Sequence, residues 1–359
     1  MSRALVLPHV WENRRVLITG HTGFKGSWLS VWLMRLGARV AGFALAPDTA
    51  PNLSEQAGIE AGMQPVRGDV RDARAVADAV RGFAPEIVFH LAAQPLVRRG
   101  YADPLGTFAT NVMGTANVLE AARQGGARGV IVVSSDKCYA NREWVWPYRE
   151  DDALGGHDPY SASKACAELA AAAWRSSFPG MAIATARAGN VIGGGDWAAE
   201  RLLPDCVRAF AAGEAVRLRH PGATRPWQHV LEPLAGYLLL AQRLLDAPAT
   251  VAEAWNFGPD PAEAHSVGAV VEAFAALWPG ARGWVREGEG GQPHEAGLLA
   301  VSAAKARARL DWRPRLKLAE ALEWTAGWYR RHREGAPALA LMGEQIALYT
   351  ARLASAATP

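Results

Sequence analysis

A tyrosine and a lysine stand four residues apart in Asp158-Pro159-Tyr160-Ser161-Ala162-Ser163-Lys164, a spacing that puts both side chains on one face of a helix. A cationic lysine beside a phenol favours the ionised phenol, and a positive nicotinamide nearby would add to that. A tyrosinate so placed can take the proton of an alcohol while hydride leaves its carbon. Only five lysines occur (Lys25, Lys137, Lys164, Lys305, Lys317), so a chance pairing with a tyrosine is less frequent than usual. Taken alone, the pair would still read as a surface contact. A second cluster, Ser134-Ser135-Asp136-Lys137, ends the apolar run Val130-Ile131-Val132-Val133. Parallel sheets keep their chemistry at the carboxyl ends of strands. Oxidising an alcohol needs only a hydroxyl here to hold the reacting oxygen. Asp136 and Lys137 are further acid and base equipment, unless they form a strand-end salt bridge.

Hydride chemistry needs a carrier, and the beginning of the chain offers a place for one. Val16-Leu17-Ile18-Thr19 runs into Gly20-His21-Thr22-Gly23-Phe24-Lys25-Gly26 and then into a helical stretch. Strand, glycine-rich turn and helix together hold a dinucleotide pyrophosphate, because the helix N-terminus presents free N–H groups to the anion. The glycine spacing is weak by itself, but its place between a first strand and a first helix is not. Gly20, Gly23, Phe24, Lys25 and Gly26 are therefore candidate cofactor contacts. So are Asp69 and Val70, where an aspartate can hold an adenine amino group, and Leu91, Ala92 and Ala93, whose small side chains leave room. Tyr160 and Lys164 complete this set. The region after the second strand reads Gly42-Phe43-Ala44-Leu45-Ala46, with no acid before Asp48. Lys25 is able to meet either a 2′-phosphate or the pyrophosphate, so these residues leave NAD and NADP open.

The elements that must position these groups alternate in kind. Short apolar runs at 16–19, 39–43, 87–91, 130–134 and 182–186 alternate with amphipathic stretches at 25–36, 72–81, 104–123 and 159–177. That order predicts a doubly wound, Rossmann-type parallel α/β sheet covered on both faces. Beyond Arg187 the triplet Gly193-Gly194-Gly195 and prolines 204, 221, 226 and 233 interrupt shorter elements. We assign 1–188 to the dinucleotide-binding domain, with segments near 225–260 returning to it. Residues 189–359 form mainly a smaller, discontinuous α/β substrate lobe.

A chain of 359 residues is long enough for a large core and a second lobe. The net charge of +3 is the small difference between 38 basic and 35 acidic residues, and it gives no sign of a nucleic-acid partner. Three separated cysteines make no disulfide framework and suggest a reducing, cytoplasmic setting. No stretch suits a signal peptide or a membrane span, and no metal site is expected.

Several longer segments go further. GHTGFKGSW, SSDKCY, GGHDPYSASK, ARAGNVIGGGDW and ATRPWQHVLEPL together resemble the CDP-glucose 4,6-dehydratases, extended short-chain dehydrogenase/reductases that use NAD. The resemblance runs from about Arg14 to Pro314. It implies that Tyr160 deprotonates the C4 hydroxyl of a sugar nucleotide as C4 hydride passes to NAD. Ser135 then holds the C4 carbonyl, and Lys164 the cofactor ribose. Asp136 protonates the departing C6 hydroxyl, water is lost across C5–C6, and hydride returns to C6. Related 4,6-dehydratases carry Glu after that Asp as the C5 base. Lys137 stands there in this chain, either as a neutral base or as an electrostatic partner of the enolate. The resemblance also implies substrate contacts at Asn190, Arg201, Arg225, Asn256 and His294, and a homodimer through the helices near 104–123 and 159–177. The rivals are a dehydratase for another sugar nucleotide, a C4 epimerase of the same fold, and a silent dinucleotide sensor. An epimerase has no use for Asp136 and Lys137, and a sensor commonly lacks the Tyr/Lys pair.

Overall fold

The computed structural model describes residues 6–260, 263–287 and 297–355. Seven strands build one sheet: β1 (Arg15–Thr19), β2 (Arg39–Ala44), β3 (Gln64–Arg67), β4 (Ile87–His90), β5 (Gly129–Val133), β6 (Ala182–Ala188) and β7 (Ala254–Phe257). Their order is β7-β6-β5-β4-β1-β2-β3, and every pairing is parallel. Side chains alternate between two cores. Val16, Ile18, Ile87, Phe89, Ile131 and Val133 face one, while Leu17, Val88, Val130 and Val132 face the other. With both faces buried, neither set can be polar, so the central strands read as apolar runs, whereas the edge strand β3 is exposed and reads Gln-Pro-Val-Arg.

Helices cover both faces. On one, α1 (Phe24–Arg35) contributes Trp28 and Trp32. On the other lie α2 (Ala73–Phe83), α3 (residues 104–124) and α4 (Pro159–Ser177), which contribute Val76, Val80, Val118, Leu119 and Ala171. Aspartates start α2 and α4. Asp72 accepts from the N–H groups of Arg74 and Ala75, and Asp158 from that of Ser161, satisfying donors that a helix start leaves bare. α3 departs from the expected unbroken helix, because Ala109–Met113 forms a π turn. The extra residue lets Asn111 turn inward. Its Oδ1 accepts from Gln94 N at 2.8 Å, and its Nδ2 donates to Gln94 O at 3.1 Å and Ser163 Oγ at 2.9 Å. Those bonds offset the poorer helix geometry and tie the loop after β4 to α4.

Beyond β6 the described residues include α5 (Leu202–Ala211), α7 (Val267–Ala276) and three two-stranded ribbons. Between α5 and α7 the chain returns to the sheet, where α6 (Leu231–Asp246) packs beneath β5 and β6 and β7 extends its edge. Two helices close the chain, α8 (Leu318–Arg333) and α9 (Ala338–Ser355). The sequence grouped α9 with the substrate half, yet α9 packs on α1. The rings of Trp32 and Tyr349 meet edge-on at 5.8 Å, and the Tyr349 hydroxyl donates to Glu232 Oε2 at 2.6 Å. Among the described residues, no helix is long and apolar enough to cross a membrane.

Candidate active site

A cleft of about 660 Å³ opens over the carboxyl ends of the strands, lined by residues from both halves. It includes the point between β1 and β4 where the strand order reverses, the expected ligand position in such sheets. The glycine-rich turn forms its floor. Gly20 has φ +77°, and a Cβ on it would stand 2.7 Å from Ala92 N, so only glycine fits that contact. A Cβ on Gly26 would stand 2.1 Å from Gly20 O. No side chain caps the start of α1 and its first turn holds no acid, which leaves bare N–H groups for a diphosphate. Gly23, Phe24 and Lys25 line the cleft there, and Leu91, Ala92 and Ala93 line it after β4. At the far end Val70 lies beside Asp69, whose Oδ2 accepts from Arg71 Nε at 2.8 Å. That bond holds the Asp69 carboxyl below its usual range, so it stays an acceptor. These residues fit a dinucleotide. The Lys25 ammonium stands 5.9 Å from the centroid of the Tyr237 ring, in the field of Arg201, Lys164, Asp136 and Asp196.

The catalytic candidates meet where β5 ends beside the first turns of α4. Tyr160 and Ser135 line the cleft together, and Ser135 Oγ donates to Asp136 Oδ1 at 3.0 Å and accepts from Lys137 N at 3.2 Å. The other Asp136 oxygen, Oδ2, is buried and has no hydrogen-bond partner among the described residues. It lies against Gly189, where a Cβ would come within 2.5 Å of it. Burial pushes the Asp136 carboxyl up, although Lys137 and Ser135 oppose this. A buried carboxyl with a raised pKa and a spare oxygen suits the role of a general acid.

Tyr160 departs from expectation. Burial pushes its phenol up to about 12, and the carboxylates of Asp136 and Asp158 add to this, while Ser135 and Arg201 oppose it. The Lys164 ammonium donates to Val133 O at 3.1 Å. Burial also brings Lys164 down to about 8, against the field of Glu168.

On the opposite wall, Asn190, Arg201 and Arg225 all line the cleft. Arg201 donates to Asp196 Oδ2 at 3.0 Å. Arg225 is nearly buried and donates to Thr224 O at 2.9 Å. Asn256 does not belong with them. It is wholly buried on β7, where its Oδ1 accepts from the Tyr139 hydroxyl at 2.7 Å and its Nδ2 donates to Tyr148 O at 3.0 Å. Its amide is spent inside the protein and does not line the cleft. His294 lies outside the described residues.

Several supporting groups were not singled out in the sequence. Glu168, one helical turn after Lys164, is buried. It accepts from Thr185 Oγ1 at 2.6 Å and from Arg187 Nε and Nη2, both at 2.9 Å. Arg187 continues to the Tyr139 hydroxyl at 2.8 Å. Glu168 shares a helix face with Lys164, which was the available signal. Asp196 had only its place in the GGGDW segment, and Asn111 had none.

Comparison with known proteins agrees with this architecture. Residues 16–258 match the model of the NAD dependent epimerase/dehydratase family. The chain belongs to that family, which the parallel sheet, glycine-rich turn and Tyr/Lys pair define. Within it, the chain is 49% identical over 333 residues to the CDP-glucose 4,6-dehydratase of Salmonella typhimurium, covering 89% of this chain and 92% of that protein. It is 30% identical to the dTDP-glucose 4,6-dehydratase of Streptomyces griseus, over 89% of this chain and 94% of that one. Among solved structures, DesIV, the dTDP-glucose 4,6-dehydratase of Streptomyces venezuelae with NAD and TYD bound, superimposes with a TM-score of 0.75. It is 26% identical over 89% of this chain and 99% of that chain.

Proposed function

We propose that the protein is a CDP-glucose 4,6-dehydratase, a hydro-lyase that converts CDP-D-glucose to CDP-4-dehydro-6-deoxy-D-glucose. The observation that carries this reading is Asp136, a buried carboxyl with a raised pKa and an unpartnered oxygen beside the Tyr160–Ser135 pair. An enzyme that only oxidises and reduces C4 needs no such acid. The identity with the Salmonella typhimurium enzyme supports the same reaction and the same substrate. The α1 N-terminus, Asp69 and Lys164 would hold NAD, which when bound would store hydride between C4 and C6.

The protein's own groups do the rest. Tyr160 takes the C4 hydroxyl proton, and Ser135 donates to the resulting carbonyl. A 4-keto group acidifies C5–H. Lys137, on the same strand end, receives that proton or stabilises the enolate, while Asp136 gives its proton to the C6 hydroxyl as it leaves. Arg201 and Arg225 hold the diphosphate, since guanidinium groups match phosphate oxygens, and Asn190 contacts it between them.

We also propose a homodimer through α3 and α4. Leu105 is 83% exposed and Leu169 58% exposed on these helices, with Phe108 and Met113 also exposed, an apolar surface that a second copy would cover. Three free cysteines fit the cytoplasm.

The test is to incubate the purified protein with CDP-glucose in deuterated water, adding no cofactor, and to follow the sugar by mass spectrometry and NMR. Loss of one water, a 4-keto product and deuterium at C5 are expected. An epimer formed without water loss would reduce Asp136 and Lys137 to a structural pair and remove the proposal.

A further inference from the structure

The segment after β5 that carries Ser135, Asp136 and Lys137 is gripped on both sides by the helix that carries Tyr160. Ahead of the segment, Lys164 on α4 donates to Val133 O at 3.1 Å. Behind it stands Tyr139, a buried ring whose hydroxyl accepts from Arg187 Nη1 at 2.8 Å. Arg187 is on β6 and turns its other two nitrogens to Glu168, one helical turn beyond Lys164 on α4. Nε and Nη2 each lie 2.9 Å from a Glu168 oxygen, and Nη1 also donates to Glu150 O at 3.1 Å. The guanidinium stands 5.0 Å from the centroid of the Tyr139 ring as well.

The two ends of the segment are not held alike. Ser134 N donates to Ala186 O at 2.9 Å, so the sheet itself fixes the near end. The far end leaves the sheet in a single helical turn, Asp136–Cys138. Its backbone bonds, from Gly155 N to Cys138 O and from Ala140 N to Ala153 O, both 2.9 Å, run to a loop. The Tyr139 hydroxyl ties this end to the sheet, through Arg187 on β6 and Asn256 Oδ1 on β7 at 2.7 Å. Burying an ion pair such as Arg187–Glu168 returns little net stability. A guanidinium fork on a carboxylate does fix geometry, and here it aims the remaining nitrogen at Tyr139.

We infer that Arg187 is a positioning residue, which locks the Asp136–Cys138 turn to α4 so that the dehydration acid keeps its place relative to Tyr160. The inference rests on the dehydratase reading. Releasing the far end displaces Asp136 and Lys137 more than Ser135, which follows the fixed Ser134. Tyr160 stays with α4. Loss of water is therefore sensitive to Arg187, and oxidation at C4 much less so.

The test uses single turnovers of the wild type, Tyr139→Phe and Arg187→Lys, each loaded with NAD and mixed with CDP-glucose well below its unfolding temperature. Tyr139→Phe removes the hydroxyl and keeps the ring. Arg187→Lys keeps a charge for Glu168 and loses the arm to Tyr139. In both, water loss is expected to slow by roughly tenfold, with formation of reduced nicotinamide within about twofold of the wild type. A purely structural role would lower the melting temperature and leave both steps unchanged, which overturns the inference. Equal slowing of both steps overturns it too. Slowing in Tyr139→Phe but not in a folded Arg187→Lys would give the hold to Asn256 and likewise overturn it. If Arg187→Lys does not fold, Tyr139→Phe decides alone. A wild type that releases no water would instead remove the dehydratase reading.

Discussion

The two walls of the cleft are built by different means. The centre of the cofactor wall is contiguous: one strand, one turn and one helix start, with backbone N–H groups as its donors and glycines packed against Ala92 and Gly20. The substrate wall is assembled from distant segments, around side chains such as Arg201 and Arg225 that are themselves held by Asp196 and Thr224. Binding through backbone tolerates little change of shape, whereas binding through guanidinium groups tolerates little change of chemistry. Tyr160, Ser135 and Asp136 line the same cleft and in the proposed reaction would serve both ligands.

Substitutions can break or sharpen this contrast. Between the walls, Tyr160→Phe should cut turnover by roughly 10²–10⁴ and spare cofactor affinity by calorimetry. Unchanged turnover would remove Tyr160 as the base. On the substrate wall, Arg201→Lys keeps a charge for Asp196 but loses the planar fork. It should raise KM for CDP-glucose by about tenfold, with kcat and NAD affinity nearly intact. On the cofactor wall, Gly20→Ala forces a side chain into a left-handed turn. A cost of about 1–3 kcal/mol should appear in thermal stability and NAD affinity, leaving KM for the sugar nucleotide alone. Behind both walls, Asn256→Ala should cost about 1–3 kcal/mol of stability through the stranded Tyr139 hydroxyl, with KM unchanged. A raised KM would restore Asn256 as a substrate contact.

The same contrast explains what was legible in the sequence. Five sheet strands and the boundaries of α4 follow from apolar runs, and the glycine-rich turn from residues adjacent in the chain. The π turn in α3 was not legible, because it arises when Asn111 reaches Gln94 and Ser163 across the fold. Asn256 was misassigned for a related reason. A polar residue on a late strand signals either a ligand or an internal partner, and only the positions of Tyr139 and Tyr148 decide. The packing of α9 on α1 through Tyr349 likewise depends on a distant contact. The Tyr–Lys spacing located the pair correctly on one helix, but burial and the neighbouring carboxylates govern the phenol.

The central claim is that one cleft joins a redox pair to a separate dehydration acid. It is tested most directly by a single turnover of Asp136→Asn loaded with NAD and mixed with CDP-glucose, following the absorbance of reduced nicotinamide together with water loss from the sugar. The account predicts that reduced cofactor still forms through Tyr160 and Ser135, while release of water slows by roughly 10²–10⁴. Equal slowing of both steps, or water loss at the wild-type rate, would contradict it.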